Sequence, residues 1–215
     1  MKSIFALLAT LALASPLYAF HLPASGSGAL ASELQKMVDL IPLDKVLQIT
    51  RTYAAQDRQF STVMSVLKSN EMRQLVQDVE GHPVFHKQVN VVNDLGLDIR
   101  SLVNDYNKRM GLAPLASLAA SDLALTGGIL GYLKDLSDAI PVEQLEELIN
   151  NEMRTSKVFQ QFVSAIASKE NADFYWSIYQ NPHFLSLKQQ ATERGVSGLL
   201  FQNAFPILAF AVSVV

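Results

Sequence analysis

The chain has 215 residues and no cysteine. Disulfides, thiolate metal ligands and a thiol nucleophile are excluded together, so a folded state must rest on packing alone. No Asn-x-Ser/Thr sequon occurs, and N-glycosylation is not expected. The G-x-S-x-G elbow, H-E-x-x-H and P-loop patterns are missing, and Gly26 and Gly28 lack the strand and helix that a dinucleotide loop requires. Charged residues make up only 17 % and nowhere form a basic stripe, which with a formal net charge of −3 argues against nucleic acid and against an anionic membrane held by charge. Histidine is scarce as well. Only His82 and His86 share the i, i+4 spacing of two ligands on one helix face, no third ligand accompanies them, and His82 just ahead of Pro83 reads better as a helix cap. Glu146 with Glu147, and Asp135 with Asp138, read as solvated faces rather than an acid–base pair. No catalytic residue, no metal site and no enzymatic activity are therefore expected.

What the chain has in excess is apolar surface: 49 % of its residues are hydrophobic and its mean hydropathy is +0.18, the apolar end for a soluble protein. Lys2, the apolar run 4–14 and a turn-prone stretch ending at Ala19 have the form of a secretory signal, residues 1–19. The run falls short of the roughly 20 residues a bilayer requires. With Lys2 removed, 16 basic residues face 20 acidic ones, a formal charge of −4. The remaining length suits one sizeable domain rather than two cores.

Residues 34–110 return, at an offset of 99, as residues 133–209. Ile41-Pro42 recurs as Ile140-Pro141, Phe60 as Phe159, Pro83-x-Phe85 as Pro182-x-Phe184, and Gly96 as Gly195. Identities are sparse while apolar class is kept, so the copies share a scaffold. Within them the spacing is helical: Phe60, Val63, Met64 and Leu67 fall at i, i+3, i+4 and i+7, as do Phe159, Phe162, Val163 and Ile166. Pro42, Pro141, Pro83 and Pro182 suit first helical turns, Asp57 and Ser156 suit N-caps, and Gly96 and Gly195 suit left-handed C-caps.

The pattern predicts an all-α fold of about twelve short helices, six per copy, at about 33–41, 43–55, 57–68, 71–80, 83–94 and 97–110 and again 99 residues on. Residues 20–32 read as a flexible leader and 33–215 as a single helical domain, with repeat 1 at 33–110, a linker at 111–128 and repeat 2 at 129–210. A single copy has too little interior to stand alone, so the halves are expected to pack face to face. The apolar run 196–215 aligns with the amphipathic segment 97–111 and carries Gln202, Asn203 and Pro206, which favours a buried helix over a membrane anchor.

Two similar helical shells can enclose space that their side chains do not fill, and a dry apolar cavity hosts apolar ligands. The residues expected to line it are Ile41, Val46, Phe60, Val63, Leu67, Leu75, Phe85, Ile140, Leu145, Phe159, Phe162, Ile166, Phe174, Phe184 and Phe201. The bland alternative for each is an ordinary core position.

The secretory leader, a unit of about 100 residues containing Ile-Pro-Leu-Asp-Lys-Val-Leu at 41–47, the Phe60 helix, the Pro83-x-Phe85 step and the closing Gly96 resemble the insect allergen-related repeat family in its two-copy form. That family includes cockroach group 1 allergens, insect midgut microvillar proteins and the nitrile-specifier proteins of butterfly larvae. The resemblance implies a helical capsule around one hydrophobic cavity, holding fatty acids or phospholipids as bound ligand with no cofactor. It also implies secretion into the gut lumen, peripheral association with midgut microvilli or the peritrophic matrix, and a role in lipid digestion. A structural or microvillar surface protein without a physiological ligand, and a nitrile-specifier-like detoxification factor, are the alternatives. Oligomeric state is left open.

Overall fold

The computed structural model describes residues 21–110 and 123–215; the expected signal segment and most of the expected linker lie outside them. Among the described residues there are twelve α-helices and no strand beyond an isolated bridge between Ala24 and Leu97. The first repeat gives α1 (Ala29–Leu40), α2 (Leu43–Gln56), α3 (Arg58–Leu67), α4 (Asn70–Gly81), α5 (Pro83–Asp94) and α6 (Ile99–Met110). The second gives α7 (Gly128–Ala139), α8 (Val142–Thr155), α9 (Lys157–Ile166), α10 (Lys169–Gln180), α11 (Pro182–Glu193) and α12 (Gly198–Ala211).

The punctuation is local chemistry, made twice. Asp57 accepts from the Phe60 amide at 2.8 Å to start α3, and Ser156 Oγ accepts from the Phe159 amide at 3.3 Å to start α9. Pro83 and Pro182 open α5 and α11, where a missing N–H costs nothing. Pro42 and Pro141 stand one place earlier than a first-turn position, at the N-caps of α2 and α8.

Residues 21–28 are not the loose leader expected. Leu22 is buried, the Ser25 amide donates to Gly96 O at 3.2 Å, the Asp98 amide to Pro23 O at 2.8 Å, and Ser25 Oγ to Asn93 O. Helix α1 begins at Ala29, with Leu30 and Ala31 already in the core. The Ser-Gly run that suggested flexibility instead supplies the positive φ of 52° and 70° at Gly26 and Gly28 by which this segment turns onto the α5–α6 corner.

The repeats do not meet as two flat faces; they exchange elements. Helix α1 packs on α8 and α9, and its counterpart α7 packs on α2 and α3. Helix α3 packs against α11, and reciprocally α9 against α5. The first helix of each copy thus completes the core of the other. Helix α12, the apolar C-terminal run, lies on α11 and α3 and buries Phe201, Phe205, Leu208 and Phe210; no helix among the described residues is long and apolar enough to cross a membrane.

The two exchange seams share a backbone plan and differ in chemistry. Where α7 meets the first copy, Tyr53, Phe60 and Tyr132 cluster with ring centroids 4.5 to 5.7 Å apart. The Tyr53 hydroxyl donates to Asp135 and accepts from the Gly127 amide, while Asp57 and Gln59 accept from Gly128 and Ile129 at 2.6 and 3.0 Å, so first-repeat side chains cap α7. Burial and the Asp135 carboxylate push the Tyr53 phenol up to about 12. At the matching positions of the other seam stand Glu152, Glu33 and Lys36: Lys36 bridges Glu33 and Glu152, and Ser156 Oγ donates to Glu33 at 3.2 Å.

Burial opposes ionisation of Glu33, yet the hydrogen bonds from Lys36 and Ser156 and the charge of Lys36 outweigh it and hold the carboxyl below its ordinary value. A carboxylate depressed in the folded state adds stability that is present above the unfolded value of about 4.3 and is lost as pH falls through the folded one. The melting temperature is therefore expected to drop between pH 5 and pH 3 in the wild type, and to drop less in Glu33→Gln. Equal acid sensitivity in the two proteins would show that this seam carries none of the pH dependence.

Candidate ligand cavity

The exchange is not quite symmetric, and the asymmetry leaves space. Helix α4 lies tightly along α11, whereas the symmetry-related pair, α10 and α5, touches only lightly. Helices α5 and α10 each have one buried residue, Val92 and Tyr179. Between them and the core is a partly open cavity of about 430 Å³, within the roughly 300 to 1,000 Å³ of small-molecule sites.

Its wall is built from both repeats. Met72, Leu75, Val76 and Val79 come from α4, Phe85, Val89 and Val92 from α5, and Leu97, Ile99, Leu102 and Val103 from α6 and its approach. Phe162 and Ile166 come from α9, Ile178 from α10, and Phe205, Pro206, Ala209 and Phe210 from α12. The polar members are Glu80, Gln88, Tyr106, Arg109, Asn171 and Ser213. Asn171 and Ser213 are satisfied locally, donating to Ala165 O and Phe210 O. The Tyr106 hydroxyl donates to Ala209 O at 3.2 Å, and burial followed by the Glu80 charge drives its phenol well above the ordinary value. Both Glu80 oxygens accept from Asn107 Nδ2, at 2.9 and 3.1 Å. Burial lowers the Arg109 guanidinium somewhat, against the pull of Asp105.

Of the residues expected at the cavity, Leu75, Phe85, Phe162 and Ile166 line it. Ile41, Val46, Phe60, Val63, Leu67, Leu145, Phe159, Phe184 and Phe201 are instead filled core, and Ile140 packs on its margin. Phe174 stacks on His82, centroids 4.5 Å apart, outside the cavity wall. Periodicity reports that a residue points inward, not whether its neighbours close over it, so core and cavity positions look alike in sequence. Helix α6 also lines the cavity, though no residue of it is among those expected there: Ile99, Leu102, Val103 and Tyr106 follow the i, i+3, i+4, i+7 stripe of an inward face.

His82 is a cap, its Nδ1 accepting from the Val84 amide at 3.2 Å. Among the described residues no three His, Asp or Glu side chains gather as a metal site.

An all-α protein made of two interlocked six-helix copies, with an apolar cavity walled by helices of both, is the class that fold and site define. Residues 29–199 match the profile described as "Insect allergen related repeat, nitrile-specifier detoxification". The chain belongs to the insect allergen related repeat family. Among curated proteins it is similar to Protein G12 of Anopheles gambiae, 22 % identical over 135 residues that cover 61 % of this chain and 64 % of that relative. The chain thus spans less than two thirds of that protein's length.

Proposed function

We propose that this protein binds lipid, holding one acyl chain in the cavity between α4, α5, α6, α9 and α12 without catalysing its conversion. The observation that carries the reading is a space of about 430 Å³ walled by Val89, Leu102, Phe162, Phe205 and similar side chains, set against a buried apolar core. Each buried methylene contributes about 0.8 kcal/mol, so some ten of them give about 8 kcal/mol before ordering costs, and one methylene more or less changes affinity only about fourfold. Binding is accordingly broad across chain lengths. The leader at residues 1–19 supports a secreted protein, and the resemblance to midgut microvillar proteins supports a role in the gut lumen, in handling dietary lipid beside microvilli or the peritrophic matrix.

Delipidated protein is expected to take up a fluorescent fatty acid at one site with micromolar affinity and to release it to oleate. Ala209→Trp, which fills the cavity from α12, is expected to weaken uptake at least tenfold with unchanged helical circular dichroism. A wild-type protein that takes up no apolar probe would sink the reading. The family's association with nitrile-specifier detoxification favours one rival; nitrile formed by this protein from glucosinolate and myrosinase would displace lipid carriage.

A further inference from the structure

Of the polar residues of the cavity wall, Asn171 and Ser213 are engaged by nearby backbone carbonyls, and the other four belong to the first repeat. Glu80, Gln88, Tyr106 and Arg109 correspond, 99 residues on, to Tyr179, Leu187, Phe205 and Leu208, all buried in the core. The scaffold therefore works with aromatic or aliphatic side chains at these four places, and the polarity in the first copy is not demanded by the fold. It is also concentrated: Tyr106 and Arg109 lie one turn apart on α6, and Glu80 reaches the same turn through Asn107. Arg109 is the one cation among the described residues lining the cavity. Its guanidinium has five N–H donors, enough to serve a ligand beside the neighbours it already holds. Across on α5, Gln88 Oε1 is buried with no hydrogen-bond partner, an arrangement that costs stability until something polar enters. Rotating that amide presents Nε2 as a donor instead.

We infer that this end of the cavity seats the anionic head of a single-chain amphiphile, with Arg109 as the residue that selects it and the Gln88 amide as its second partner. The inference rests on the lipid-binding reading above and adds the polarity of the ligand and the residue that reads it. Glu80 is the opposing charge: Asn107 holds both its oxygens without neutralising them, so the preference for an anion is the excess of the Arg109 pairing over the Glu80 repulsion. The head is a carboxylate or a phosphate monoester, both of which a guanidinium grips through paired hydrogen bonds. A space of about 430 Å³ favours one chain over the two of a phospholipid.

The test compares oleate, oleyl phosphate and oleyl alcohol, below their aggregation concentrations at pH 8, on delipidated wild type, Arg109→Leu and Arg109→Lys. Leucine is what the second copy carries at this place, so the substitution imports a residue the scaffold already accepts. Wild type is expected to bind at least one of the two anions about tenfold or more tightly than the alcohol, the scale of a charge-assisted hydrogen bond. Whichever anion wins names the head. Arg109→Leu is expected to erase that preference while leaving the alcohol's affinity within about twofold, and Arg109→Lys to keep only part of it, the charge without the paired hydrogen bonds. Equal binding of all three by the wild type, or a preference that survives Arg109→Leu, overturns the inference and leaves lipid binding standing. Failure of the wild type to bind any of the three overturns both.

Discussion

Phe60→Ala is expected to destabilise the protein by about 3 to 5 kcal/mol, a fall in melting temperature of roughly 6 to 20 °C for a chain of this size. Phe60 is fully buried, with ring centroids 4.5 Å from Tyr132 and 5.7 Å from Tyr53. Its helix, α3, touches α2 and α4 of its own repeat and α7, α11 and α12 of the other, so few neighbours are free to collapse into the void. Edge-to-face ring contacts add about 0.5 to 1.5 kcal/mol each beyond area burial. Phe85→Ala provides the contrast. That ring already borders open space on the cavity wall, so its removal enlarges a void rather than creating one, with about 1 kcal/mol lost and weaker probe binding. Urea denaturation of the pair decides the matter: similar losses in both variants would mean that filled core and lined cavity are not distinct as described.

Gly96→Ala is expected to cost about 3 kcal/mol or more, and Gly195→Ala, its repeat partner, only about 1 to 2 kcal/mol. Both glycines have positive φ, 108° and 87°, so alanine is strained at either. Only at Gly96 would the new methyl also strike something, lying 2.6 Å from Ala29 N and 3.0 Å from the Gly28 carbonyl carbon. At Gly195 nothing stands within 4 Å. The atoms struck are backbone, fixed by the Leu30 amide on Leu95 O at 2.9 Å and Asp98 on Pro23, and they cannot swing aside as a flexible side chain would. The leader must lift, and limited proteolysis within residues 24–28 should accelerate in Gly96→Ala alone. Equal thermal losses in the two variants, with leaders equally protected, would count against the docking of residues 21–28.

The features legible in sequence were those set by local chemistry repeated at a fixed interval. Asp57 and Ser156 as caps, Pro83 and Pro182 as helix starts, and Gly96 and Gly195 as stops each depend on a few neighbouring residues, and two copies confirmed one another. What could not be read was set by contacts at long range. Ser25, Gly26 and Gly28 look like a linker until Leu97 and Asp98 are known to lie against them. The cavity depends on a light contact between α5 and α10 where α4 and α11 close tightly, a difference of fit that no periodicity encodes. Glu80, Gln88, Tyr106 and Arg109 were visible as departures from the second copy, but departures matter only once the four are known to border one space.

The exchange of first helices sets the order in which the chain can be finished. Lys36 on α1 reaches its carboxylate on α8 across 116 residues, a stretch that takes a ribosome roughly 6 to 25 s to add at about 5 to 20 residues per second. For that interval the buried stripe of α1, Leu34, Met37 and Val38 among it, lacks the α8 and α9 surfaces on which that helix packs. The first half of this protein is therefore made as an unfinished surface, and whatever shelters that stripe during synthesis governs the yield of folded molecules as much as the final packing does.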